Sequence, residues 1–227
     1  MASTLLPTIR EIREVFEQEV LPHGGRVPDA LVDGDHLFLR AVLSADAQVR
    51  PGDRVSAGVA LRTAGRHILV HPYTFRQVCR NGAISAQTVR TRAVERSDLD
   101  ATPWDVAQVI ERLGEAVRLC AAPEAFDAAM GEMRSALETD ADMILNLLPH
   151  LVSLPSGSAN ILLREITRRF EAASDRSLFS LMNAITSTAR DQHDPEARWR
   201  LEELGGAVAA RVRPAPRPDG ATAVLFA

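Results

Sequence analysis

The sequence predicts an α+β fold: an N-terminal helix, an antiparallel β-meander and a helical C-terminal half. Three observations carry this. Ile9, Ile12, Phe16 and Val20 recur at three- and four-residue steps within residues 4–20. From Arg54 to Arg62, Val55, Ala57, Val59 and Leu61 alternate with Arg54, Ser56, Gly58, Ala60 and Arg62, the two-residue period of a half-buried strand. Beyond residue 102, apolar stripes of helical period follow one another, each introduced by a cap residue or a proline.

The elements follow in order. The first helix carries Arg10, Arg13, Glu14 and Glu17 on its polar side and ends at Pro22 and Gly24-Gly25. Residues 27–70 read as β. His36 to Leu43 is a strand-compatible apolar run, Arg50-Pro-Gly-Asp53 is a turn, and Ala64-Gly65 turns into a third strand, His67 to His71. Residues 74–82 predict a short helix. Thr74 and Gln77 have capping-box spacing, Phe75, Val78 and Cys79 share a face, and Asn81-Gly82 supplies a left-handed stop. On that helix Arg76 and Arg80 stack at i, i+4 and repel, and an anion between them would relieve the cost.

Thr102-Pro103 opens the helical half. Val106, Val109, Ile110, Leu113, Val117 and Cys120 form its first stripe; Phe126, Met130, Met133 and Leu137 follow Pro123. Asp142 to Val152 is apolar and broken at Pro149, and Pro155 to Ser158 is a loop. Asn160 caps a helix bearing Leu162, Ile166 and Phe170; Ser177 to Ala189 and Asp194 to Val208 give two more. Residues 1–100 thus form an α+β region, 101–210 a helical region and 211–227 a Pro-rich tail ending in Ala223-Val-Leu-Phe-Ala227.

The 227 residues are 46% hydrophobic and 25% charged, which excludes collagen-like and disordered classes. No apolar run is long enough to span a membrane, and the first twenty residues read as a helix rather than a secretory leader. Cys79 and Cys120 are too few for a disulfide framework, so a reducing cytoplasm is the expected setting. All 26 basic residues are arginine. With no lysine, Schiff-base catalysis and P-loop phosphate binding have no residue to use.

Charge is uneven. The stretch 50–96 holds nine arginines against Asp53 and Glu95, which leaves it at +7 inside a chain of net −4. Such a segment points to an anionic partner, or to arginines that pair with the acidic helices.

Candidate chemistry is thin. Cys79, with His71 upstream and Arg76 and Arg80 as neighbours, could serve as a nucleophile, but its place on an apolar face reads as core. Asp191, His193 and Asp194, and likewise Glu138, Asp140 and Asp142, could hold a metal, but their positions read as caps and loops. Asn183 and Thr186 read as helix-to-helix hydrogen-bonding residues, and Asn81 as a cap. No hydrolase, metalloprotease or dinucleotide motif is present. No catalytic residue, metal ligand or cofactor is therefore assigned, and an enzyme ranks last.

Two segments carry a resemblance. Phe75-Arg-Gln-Val-Cys-Arg-Asn-Gly82, following a meander that contains Pro51-Gly52-Asp53, resembles the core of the phage/plasmid-like protein family, a domain of unknown function borne by phages and plasmids. Ser177-Leu-Phe-Ser-Leu-Met-Asn-Ala-Ile-Thr186 resembles that family's C-terminal helix motif, with Phe179 where the family tends to have Trp. The likeness covers residues 30–205. The helix–meander–helix order also resembles single-strand annealing proteins of phage recombination, in topology alone.

The resemblance implies an accessory protein of a mobile element. With the charge pattern, it leads to nucleic-acid binding, single-stranded DNA and its annealing in recombination being the most concrete form. Arg62, Arg66, Arg76, Arg80, Arg90 and Arg92 would grip phosphates, and Tyr73 would offer a ring for stacking. A homo-oligomer is expected. The alternative is a protein-interaction module acting on host defence or replication, with the arginines meeting an acidic partner.

Overall fold

The computed structural model describes residues 7–34, 36–64, 67–85, 92–95, 106–151 and 156–211. The fold is α+β: among the described residues, an N-terminal helix, an antiparallel sheet and six further α-helices. Helix α1 (Ile9–Val20) starts on a capping box, in which the Thr8 hydroxyl accepts from Glu11 N and the Glu11 carboxylate accepts from Thr8 N. A short 3-10 turn (Leu21–His23) leads to β1 (Arg26–Asp33), β2 (His36–Arg50), β3 (Asp53–Ala64), β4 (His67–Arg76), β5 (Asn81–Ile84) and β6 (Arg92–Glu95). Strands β1 to β5 lie in sequence order, all antiparallel. Pro51-Gly52 turns β2 into β3, with Gly52 at φ 80° as the bend requires.

The far edge of β4 is shared. Residues 73–76 pair with β5, and residues 67–70 pair with β6. Pro72 sits at the seam. Its carbonyl accepts from Ser85 N on that edge, so its missing N–H falls on the same side, where neither strand continues the ladder.

Strand alternation gives the sheet two buried faces. Leu37, Leu39 and Ala41 of β2, Val59 and Leu61 of β3, and Ile68 and Val70 of β4 pack against Ile12, Phe16 and Val20 of α1 and against α2 (Val106–Ala121). The helices α3 (Pro123–Leu137), α4 (Asp142–Leu151), α5 (Ser156–Glu171), α6 (Leu178–Arg190) and α7 (Pro195–Ala210) build a second core that reaches Val49, Val55 and Ala83 of the sheet. Helix α4 runs through Pro149, which lies in its last turn, and α5 begins at Ser156, so Asn160 lies inside that helix rather than capping it. Among the described residues, no helix is long and apolar enough to cross a membrane.

Helix α7 covers the other face of the sheet through a layer of charge. Trp199 is fully buried against Phe38, Ala60 and Tyr73. Arg40 and Arg62 stand over its ring, 5.6 and 5.4 Å from the centroid. Arg40 bonds Glu202 at 2.7 Å, and Arg62 bonds both oxygens of Glu196 at 2.8 Å. Gly205 and Gly206 let α7 approach: a Cβ at 205 would overlap the Thr186 side chain, and one at 206 would overlap the Ile84 carbonyl oxygen.

His71 lies in the same layer. Burial, with Arg62 nearby, pushes its pKa down to about 3, against an ordinary value of 6.5. The imidazole is therefore neutral in the fold and takes up a proton on unfolding below pH 6.5. Stability falls as pH drops through the window from 6.5 toward 3, by about 1 kcal/mol per unit. Chemical denaturation between pH 7 and pH 5 checks this: the wild type loses stability over that range, and His71→Asn shows a flatter profile.

The helix expected over 74–82 is not there. Thr74, Phe75 and Arg76 finish β4, paired with Ala57, Ser56 and Val55 of β3; a turn follows, and Asn81 and Gly82 open β5. Cross-strand pairing overrides the local cap pattern, and Tyr-Thr-Phe suits a strand by its shape. Thr74 donates its hydroxyl to Ala83 O, and the Gln77 side chain donates to Ser56 Oγ, so neither group caps a helix.

Candidate nucleic-acid interface at the junction of two motifs

The β4–β5 hairpin brings Phe75–Gly82 onto α6, so the two segments singled out in the sequence touch across more than a hundred residues. Asn81 Nδ2 donates to Thr186 Oγ1 at 2.5 Å. Arg190 Nη1 donates to the Cys79 carbonyl at 2.6 Å. Arg76 stands over the Phe179 ring at 5.6 Å, and Arg50 stands at the same distance.

Carboxylates hold these arginines in place. Asp53, 4% exposed, takes Arg76 through both oxygens at 2.5 and 2.6 Å. Arg50 reaches Asp53 at 3.5 Å and Asp175 at 3.1 Å. Burial alone would raise the Asp175 pKa. Hydrogen bonds from the Ser177 and Ser180 hydroxyls, with Arg50, outweigh it and bring it to about 2. Ser177 in turn caps α6 by accepting from Ser180 N. Asp175 thus ties the start of the second motif to the β2–β3 turn.

The structure separates the arginines assigned from sequence. Arg62 is buried under α7 and spent on Glu196. It lies seven residues along β3 from Val55, the partner of Arg76, about 23 Å at strand rise. Arg66 and Arg90 lie outside the described residues. Arg92 lies in β6, opposite Val70. Tyr73 is 3% exposed, with its hydroxyl against Gly82, so it offers no ring for stacking. Arg54, which the sequence left unassigned, is paired with Asp46 at 3.3 Å.

Arg80 differs from the rest. It is exposed and carries no ion pair among the described residues. Its φ is 51°, the left-handed region where a side chain costs roughly 1 kcal/mol and glycine or asparagine is the usual occupant. It shares the turn with Val78, an apolar residue 61% exposed, and with Arg190 anchored on the neighbouring carbonyl. Cys79 is half-buried in this turn and accepts from Arg76 Nη1 at 3.1 Å, so it is not a core residue of a helix face. Cys120 is buried in α2.

Sequence reading overlooked Asp53, Asp175 and Arg190. The available signal was the resemblance carried by the two segments, which marked them without saying that they meet. Asp194 caps α7 by accepting from Glu196 N, and Asp140 accepts from Asp142 N; among the described residues no group of three or more His, Cys, Asp or Glu could hold a metal ion. Asn183 donates to Phe179 O in its own helix, and Thr186 bonds to a strand, so neither bridges two helices. Comparison with known proteins returns no matching family model, no matching curated protein and no matching solved structure.

Proposed function

We propose that this chain binds nucleic acid through the β4–β5 turn, with Arg80 as its phosphate contact. One observation carries the reading: an exposed arginine, without an ion pair among the described residues, occupies a backbone position that favours glycine. Strain of this kind persists where a side chain serves a purpose the fold itself does not need. Arg54, 56% exposed and paired with Asp46 at 3.3 Å, and Arg190, 41% exposed and paired with Asp191 at 3.0 Å, stand beside the turn. Together they present guanidinium groups suited to phosphate oxygens. The resemblance of the two motifs to phage- and plasmid-borne proteins supports an accessory role in a mobile element. Single-stranded DNA handling in the cytoplasm, by an oligomer of this chain, is its concrete form.

The test is fluorescence anisotropy on labelled single- and double-stranded DNA across a salt series, with wild type and Arg80→Gly. The wild type shows affinity that falls as salt rises. Arg80→Gly lowers affinity about tenfold and reduces the salt slope by about one unit, while melting stays unchanged or rises because the strain is gone. Absence of binding at low salt and micromolar protein overturns the reading.

A second reading has its own observation. Arg50, Arg54, Arg62 and Arg76 are all paired inside the fold, and Val78 is exposed at the turn tip. That combination suits a protein partner docking on Val78. Saturable binding to a partner, lost in Val78→Asp and indifferent to DNA, would establish it.

A further inference from the structure

We propose that the outer edge of β1 is a homodimer interface, where two copies of this chain pair antiparallel about a two-fold axis at Ala30. This surface is independent of the phosphate contact proposed for Arg80, and it gives the oligomer a place on the fold.

Strand β1 pairs with β2 on one side, and no described strand pairs with its other side. Two residues join Asp33 to His36, whose pairing closes the hairpin. Hydrogen-bonded pairs alternate along an antiparallel ladder, so Asp33, Leu31 and Asp29 turn their backbone groups toward β2. Ala30 and Val32 turn theirs to the open edge. Pro28, which has no N–H, follows at a bulge. There Val27 and Pro28 together oppose Ala41, between the pairs Arg26–Val42 and Asp29–Arg40. Apolar surface lies on the same strand, with Leu31 38% and Val32 61% exposed.

Charge selects a second copy as the occupant. Arg26 and Asp33, at the two ends of β1, are exposed and carry no ion pair among the described residues. Their cross-strand partners Val42 and His36 stand an even number of residues apart on β2. Both side chains therefore lie on the face of the sheet that carries Phe38 and Trp199.

The open backbone groups allow two-fold registers centred on Asp29, Ala30 or Leu31. Centring on Asp29 sets that carboxylate against its own copy. Centring on Leu31 sets Asp29 against Asp33, twice. Like charges directly opposite each other disfavour both. In the register centred on Ala30, that residue exchanges both backbone bonds with Ala30 of the second copy, and Val32 N–H meets the Pro28 carbonyl. Val32 is then covered by Val27 and Pro28 of the second copy. Because the bulge takes up one residue, Arg26 comes opposite Asp33 of the second copy, and the two-fold repeats the pair. Strand β1 is thus complementary to itself in one register. Pairing consumes the open edge of both copies, so association stops at two.

The test is sedimentation equilibrium of the full chain without DNA. The wild type passes from monomer to dimer across the micromolar range. Arg26→Asp raises the dimer dissociation constant about tenfold, because the two-fold turns one substitution into two like-charge pairs. Arg26→Asp combined with Asp33→Arg restores the wild-type constant. Both side chains are exposed, so melting of the monomer is unchanged in each variant. Amide exchange adds the position: Ala30 and Val32 gain protection as concentration rises. Arg80→Gly dimerises as the wild type does, so a dimer that fails to bind DNA removes only the Arg80 reading. A monomer at every concentration overturns the dimer interface. So does an oligomer that Arg26→Asp leaves intact, or one that the double exchange fails to restore. Protection of Ala30 and Val32 already in the monomer places another segment of the same chain on the edge, and overturns it too.

Discussion

Glu202→Gln loses about 3–5 kcal/mol of stability, read from the urea midpoint at neutral pH. The two charges it separates are among the most enclosed in the protein: Arg40 is 1% exposed and Glu202 is 2% exposed, 2.7 Å apart. Arg40 keeps Asp29 at 3.2 Å and the Trp199 ring, but Asp29 also serves Arg198 at 2.8 Å. Removing the carboxylate therefore leaves a guanidinium without its main partner in a site closed to water, the costly way to break a buried pair. Glutamine keeps the shape, so the loss reports charge. Arg40→Met combined with Glu202→Leu recovers most of the stability, since a buried pair replaced by apolar groups of similar volume is close to neutral. A loss under about 1 kcal/mol in Glu202→Gln would mean that water reaches the layer.

Phe179→Ala loses about 3–5 kcal/mol, the usual range for deleting a fully enclosed phenylalanine. The ring is 0% exposed and fills the join between the two motifs. Two arginines stand over it, so the deletion removes both their cation–π contact and the apolar volume beneath them. Asp53 still holds Arg76, so the damage is one of packing rather than of charge. Guanidinium denaturation measures the loss, and hydrogen exchange locates it: amides of β5 and the end of β4 lose protection more than those of β2. Phe179→Leu restores about half. Unchanged exchange in β5 would show that the ring does not hold the hairpin.

What the sequence made legible divides along physical lines. Helix α1, the Pro51-Gly52 turn and the alternation of β3 are written in contacts only a few residues apart, and local pattern reads such contacts well. The stretch 74–82 failed because two local codes compete there. Thr74 and Gln77 have the spacing of a capping box, yet the residues between them complete a ladder with β3, a partner some twenty residues earlier. The arginine segment was legible as charge and illegible as surface. Whether Arg62 faces solvent depends on Glu196, 134 residues away, and nothing near Arg62 announces that partner. Arg80 reads from sequence as a helix residue stacked beside Arg76, whereas it stands in a left-handed turn. The buried oxygens of Asn81 and Asn183 could not be seen at all, because orphaned acceptors exist only once the hairpin is laid on α6.

The closeness of α7 to β5 leaves a signature for recognising distant kin. Positions 205 and 206 have no room for even a methyl group, since one faces the Thr186 side chain and the other the Ile84 carbonyl. Gly82 is under the same restriction from the Tyr73 hydroxyl. A descendant of this chain can exchange its arginines, lengthen its loops and drift beyond detection by overall similarity. As long as it keeps the hairpin pressed between α6 and α7, it must retain a lone glycine after the first turn of the motif and a glycine pair more than a hundred residues later. Those three vacant side-chain positions are what this packing demands of any sequence that adopts it.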